Sequence, residues 1–128
     1  MNKLIIDVAN EKIFFMIITN SSIYNITHEN TKINYERLTV IINDFLISKK
    51  LKIADIHVIY INNGQGSFAG IRNSLSVVKA LNVAKNIDYY CYNLDDFKDE
   101  KDLRHENIPD LCKKYKIKKN LINPVYLS

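Results

Sequence analysis

Glycine and proline are scarce in this chain: three of its 128 residues are glycine and two are proline. Wherever glycines gather, the backbone therefore has a specific need for them. Cysteine is as rare, with Cys91 and Cys112 far apart, no C-x-x-C pair and no histidine at ligand spacing. That pattern excludes a zinc knuckle and a disulfide framework and leaves two buried or idle thiols. No apolar run approaches the length of a membrane-spanning helix. Met1, Asn2 and Lys3 lead into a short apolar run ending at Asp7, without the long apolar stretch and small-residue cleavage site of a signal peptide. A cytoplasmic protein is expected. With 47% hydrophobic residues the chain can bury one core. No repeat or low-complexity linker divides it, so residues 1–128 are read as a single domain.

The net charge of +4 is modest and segregated. Asp95, Asp96, Asp99, Glu100 and Asp102 make an acidic connection over about 94–107. A basic tail over about 113–128 follows, with Lys113, Lys114, Lys116, Lys118 and Lys119 interleaved with Tyr115 and Ile117. A basic run beside aromatic residues can grip phosphates, or it can be a solvated end that keeps the protein in solution. The acidic stretch reads as an exposed helix or loop, since no second acidic cluster or histidine pattern accompanies it.

Hydrophobic periodicity outlines the elements. Lys3 to Val8 and Ile13 to Ile18 are apolar runs separated by polar residues, as in a hairpin, and Ser22 to His28 alternates as a half-exposed strand does. From Asn34 to Lys50 the period becomes helical, with Tyr35, Leu38, Ile42, Phe45 and Leu46 on one face. Val40 and Ile47, one heptad apart, point away from that face. Ile56 to Ile61 suits a central strand buried on both sides. A second helix is expected over Ile71 to Asn86, where Ser76, Ala80 and Ala84 form a small-residue row that permits close approach of another helix. Asp88 to Tyr92 reads as a strand, and Ile108 to Tyr115 as a short helix with Pro109 in its first turn. The order β-β-β-α-β-α-β-α implies an α/β fold with a mixed five-stranded sheet, of the ribonuclease H-like and actin-like kind.

All three glycines fall in Gly64-Gln65-Gly66-Ser67-Phe68-Ala69-Gly70, between the central strand and the helix after it. A strand, a glycine loop and a helix start resemble an anion site. The spacing nevertheless fits neither a phosphate-binding loop nor the dinucleotide fingerprint, so the segment reads as a tight turn that seats the helix. Asp7, at the end of the first strand, occupies the place of a metal-binding carboxylate in ribonuclease H-like enzymes, but no companion carboxylates converge on it in the sequence. Actin-like ATPases follow that aspartate with glycine, whereas Val8, Ala9 and Asn10 follow here. His28, His57 and His105 lie on separate elements and read as surface or packing residues, and a serine triad has no support.

The segment Asn63-Gly64-Gln65-Gly66-Ser67-Phe68-Ala69-Gly70-Ile71-Arg72 closely resembles the G-P-G-S-F-T-G-[LV]-R signature of the TsaB/YeaZ family. Leu4-Ile5-Ile6-Asp7-Val8-Ala9 resembles that family's opening I-x-A-I-D-T-A, and Pro124-Val125-Tyr126-Leu127 resembles its usual ending. The resemblance spans roughly residues 3–97. Departures are Gln65 for proline, Ala69 for threonine, and Asn30 to Tyr35 where a histidine often stands. It implies a reduced form comprising the N-terminal actin-like (ASKHA) lobe, without catalytic residues, metal or cofactor. Such a protein is a non-catalytic partner of a TsaD/Kae1/Qri7-type paralogue in N6-threonylcarbamoyladenosine (t6A) modification of transfer RNA, which it meets indirectly. The signature residues are then Gly64, Gly66, Ser67, Phe68, Gly70 and Arg72. Val40, Ile47, Ser76, Ala80 and Ala84 become the expected interface, with the same helices available for a homodimer. The alternatives are a small RNA-binding module using the lysine tail or a metal-dependent ribonuclease H-like hydrolase using Asp7.

Overall fold

The computed structural model describes residues 1–64 and 68–122. Five strands form one sheet: β1 (Lys3–Asp7), β2 (Lys12–Ile18), β3 (Ile23–Glu29), β4 (Val58–Asn62) and β5 (Asp88–Tyr92). Their order across the sheet is β3-β2-β1-β4-β5. β1 pairs antiparallel with β2 and β2 with β3, while β4 runs parallel to both β1 and β5. The sheet is mixed and the expected element order holds, with a one-turn helix ahead of the first long helix and short 3-10 turns at Ile53–Asp55, Leu94–Phe97 and His105–Asn107.

Period-two alternation divides the side chains between two cores. Leu4, Ile6, Ile13, Phe15, Ile17, Ile59, Ile61, Tyr89 and Cys91 face one side of the sheet. Ile5, Met16, Val58, Tyr60 and Tyr92 face the other. All five residues of β4 are buried, as a central strand covered on both faces requires. Half-exposed β3 closes one edge, with only Ile26 and His28 partly covered.

Helices α1 (Lys32–Tyr35), α2 (Leu38–Ser48) and α3 (Phe68–Lys85) lie over the first core, and α4 (Ile108–Lys114) lies over the second. The single helix expected over 34–50 is broken at Glu36 and Arg37. The Tyr35 carbonyl, released by that break, accepts from Asn73 Nδ2 of α3 at 3.3 Å, so a tertiary contact replaces an intrahelical one. The break keeps the apolar face in register: Leu38, Ile41, Ile42, Phe45 and Leu46 are all buried.

The lysine-rich segment after α4 is docked over part of its length. Lys119 bridges to Tyr90, and the Asn120 side chain accepts from the Tyr89 amide at 2.9 Å and donates to Asp88 at 2.9 Å. Lys113 and Lys114 belong to α4 itself. Among the described residues no helix is long and apolar enough to cross a membrane. Gly66, Ser67 and the stretch Pro124 to Leu127 lie outside the described residues.

Candidate functional site

Two surfaces carry chemistry the sequence singled out. The first is the end of β1. Asp7 is 3% exposed, and a buried carboxylate must gather donors to offset lost hydration. Its Oδ1 accepts from the Ala9 amide at 3.0 Å and from Asn62 Nδ2 at 3.3 Å, with Asn10 Nδ2 more distant at 3.4 Å. Its Oδ2 lies 2.8 Å from His105 Nε2. Because an ionised carboxylate only accepts, that nitrogen carries the proton. The imidazole also stacks on Phe14, with ring centroids 3.9 Å apart. Where the sequence suggests a surface or packing residue, His105 packs and also completes this network from far along the chain.

The loop after Asp7 is pinned as well: Asn30 Nδ2 donates to the Val8 carbonyl at 3.0 Å and to the Asn10 carbonyl at 2.7 Å. Gly64 has no positive φ, and none of the described glycines does. Its requirement is close approach: its amide donates to Asn62 Oδ1 at 2.7 Å, and a Cβ there would sit 2.8 Å from the same oxygen. A shallow cleft of about 220 Å³ beside this network is lined by Ala9, Asn10, Asn62, Gly64, Asn93, Leu94 and Asp95. Those residues bring neutral amides and a carboxylate but no cation, which is a poor match for phosphate. Among the described residues no three His, Cys, Asp or Glu side chains assemble into a metal-binding group. The Tyr92 hydroxyl is buried without a hydrogen-bond partner among the described residues. Burial foremost, then the Asp7 carboxylate, pushes its phenol well above the ordinary value, so it stays protonated.

The second surface is the outer side of α1 to α3. β3, β4 and β5 run parallel, so the crossovers β3-α2-β4 and β4-α3-β5 lay α2 and α3 side by side in the same direction. Val40 is 45% and Ile47 66% exposed, opposite the buried side of α2. On α3, Ser76, Ala80 and Ala84 are all exposed. Val40 and Ser76 line one groove of about 510 Å³ together with Tyr35, Thr39, Asn73 and Val77. One heptad further along each helix come Ile47 and Val83, the latter 76% exposed. Val83 was not among the residues expected here; the small-residue row drew attention to its neighbours, although its spacing from Ser76 is the same seven residues as Val40 to Ile47. Ile33 on α1 is also exposed, at 72%. Of the loop signature, Gly64 and the α3 residues Gly70 and Arg72 are described, with Arg72 exposed; Phe68 opens α3, and its side chain lies outside the description. The glycine loop thus opens the helix that carries half of this face.

No protein-family model matches the chain, and no curated protein matches it. Among solved structures, YeaZ from Pseudomonas aeruginosa is similar with a TM-score of 0.66 at 18% sequence identity, covering 72% of this chain and 43% of that chain. An uncharacterized protein with similarity to peptidase YEAZ from Pseudomonas aeruginosa gives the same TM-score of 0.66, identity of 18% and coverages of 72% and 43%. This chain therefore spans less than half the length of either structure. At that identity the likeness establishes the fold: a mixed five-stranded α/β lobe of the ribonuclease H-like and actin-like type, shared with YeaZ.

Proposed function

We propose that this protein is a TsaB-like, non-catalytic partner of a TsaD-type paralogue in the cytoplasm, serving threonylcarbamoyladenosine modification of transfer RNA. The observation that carries the reading is the second apolar face on two adjacent helices. Val40, Ile47 and Val83 are exposed, as are the small residues Ser76, Ala80 and Ala84, and Val40 and Ser76 share one groove, on a lobe that shares its fold with YeaZ. Isolated exposed apolar residues are ordinary; a row shared by two helices and flanked by small residues suits helix-on-helix docking. Burying a side chain as open as Ile47 contributes about 1–2 kcal/mol, so three such residues supply a useful share of a micromolar affinity. The hydrolase alternative is disfavoured because Asp7 is met by amides and an imidazole where metal chemistry needs further carboxylates.

The test is co-expression with the TsaD-family protein of the same organism, followed by light scattering on a sizing column. Wild type should elute as a heterodimer, and Ala80→Arg or Val83→Asp should abolish it. A complex indifferent to both substitutions would remove this face from the interface, and two separate monomers would refute the partnership.

A further inference from the structure

The opposite side of the molecule carries a basic pocket that the helix-face reading leaves unused. A cavity of about 440 Å³ lies between the sheet and α4, lined by Lys3 of β1, Tyr60 of β4, Tyr90 of β5, and Asp110, Lys113 and Lys116 on or just after α4. The three lysines come from two separate parts of the chain and converge on one concavity. Nearby Lys114 is paired with Glu100 and Lys119 with Asp88. Lys3, Lys113 and Lys116, by contrast, make no ion pair among the described residues. Lys116 is moreover held at φ 55°, in a left-handed turn stapled by the Ile117 amide donating to the Cys112 carbonyl at 2.9 Å. Its backbone is thus fixed at the pocket rim.

The wall is aromatic. Tyr60 and Tyr90 stack with centroids 5.3 Å apart and planes 14° from parallel, so the half-buried Tyr90 ring is held rigid by the buried one beneath it. Burial foremost, followed by Cys112, pushes the Tyr60 phenol up to about 12, which keeps its hydroxyl a donor. Cations for phosphate, an ordered ring for a base and a carboxylate at Asp110 able to accept from a base amino group are the elements of single-strand recognition.

We propose that this pocket binds one nucleotide of a single-stranded nucleic acid, with phosphates on Lys3, Lys113 and Lys116 and the base against Tyr90. The proposal does not rest on the partner reading, because the pocket lies on the α4 side and α2 and α3 pack on the other face of the sheet.

The test is fluorescence anisotropy of a labelled RNA decamer with the full chain alone, over a range of salt. Lys3→Ala/Lys113→Ala/Lys116→Ala should weaken binding at least about tenfold and reduce the slope of log affinity against log salt by about two. Tyr90→Leu, which keeps bulk but removes the π-face, should weaken binding about tenfold with the slope unchanged. A charge-matched triple on the other side, Lys49→Ala/Lys79→Ala/Lys85→Ala, should stay within about threefold of wild type. Circular dichroism confirms folding of each variant. No binding by wild type up to about 100 µM overturns the proposal. So does equal loss in both triples, or competition by free uridine monophosphate as effective as by unlabelled decamer.

Discussion

His105 Nε2 stands 2.8 Å from Asp7 Oδ2 although the two residues are 98 positions apart. The contact fastens the entrance of α4 to the end of β1, joining the α4 layer to the central strands. Asp7 is buried at the end of β1. Here Ala9, Asn10, Asn62 and His105 surround it. Asp7 thereby ties β1 to Asn62 of β4 and to His105 ahead of α4.

Asp7→Asn should therefore destabilise the protein by about 1–3 kcal/mol, because its amide sets a donor among donors that the carboxylate had satisfied. His105→Ala should cost about 1–2 kcal/mol, and the double variant less than the sum by about 1 kcal/mol, since each partner's loss is felt through the other. Urea unfolding of the four proteins measures this directly. Strict additivity would contradict a direct Asp7–His105 interaction.

The shortage of glycine has a cost at helix ends. α2 closes with the Lys50 amide donating to the Ile47 carbonyl and the Leu51 amide to the Leu46 carbonyl, both at 2.9 Å, which places Lys50 at φ 60° where glycine is usual. Lys50→Gly should stabilise the protein by about 0.5–1 kcal/mol, net of glycine's extra unfolded-state entropy. Thermal melting should show a rise of about 3 °C. A fall in melting temperature would mean that the Lys50 side chain contributes more than its backbone strain costs.

Alkaline pH should unfold the protein earlier than its surface charge suggests. Burial pushes the Cys91 and Cys112 thiols from 9.0 up to about 12, and the Tyr60 phenol from 10.0 up to about 12. The unfolded chain then releases these protons before the folded one, so stability is intact below about pH 9 and declines as pH rises from there toward 12. Urea midpoints should hold level from about pH 7 to 8.5 and drop steadily above that. In the same range a thiol reagent at pH 8 should react at least about a hundredfold more slowly with native protein than with protein in denaturant. Fast native labelling would contradict the burial of both cysteines.

Local pattern makes the architecture legible in the sequence. The unbroken apolar runs Leu4-Ile5-Ile6 and Ile59-Tyr60-Ile61 report two covered faces, and Val40 with Ile47 stands out because this helix carries apolar residues on two sides. The break at Glu36 and Arg37 leaves no such trace: neither glycine nor proline marks it, and the Tyr35 carbonyl it frees is taken up by Asn73, distant in sequence. The role of His105 was hidden for the same reason, since its partner is at the other end of the chain. The fate of Lys119 and Asn120 depends on the open edge of β5, which a periodicity reading does not expose. Long-range polar contacts carry no local signature, while burial does.

Hydrogen exchange on the chain alone and mixed with its TsaD-family counterpart tests the partner role most directly. Slowed exchange confined to α2 and to residues 69–85 of α3, with β5 and α4 unchanged, is the expected result. Protection at α4 or β5 in place of α2 and α3, or no protection at all at micromolar concentrations, would contradict it.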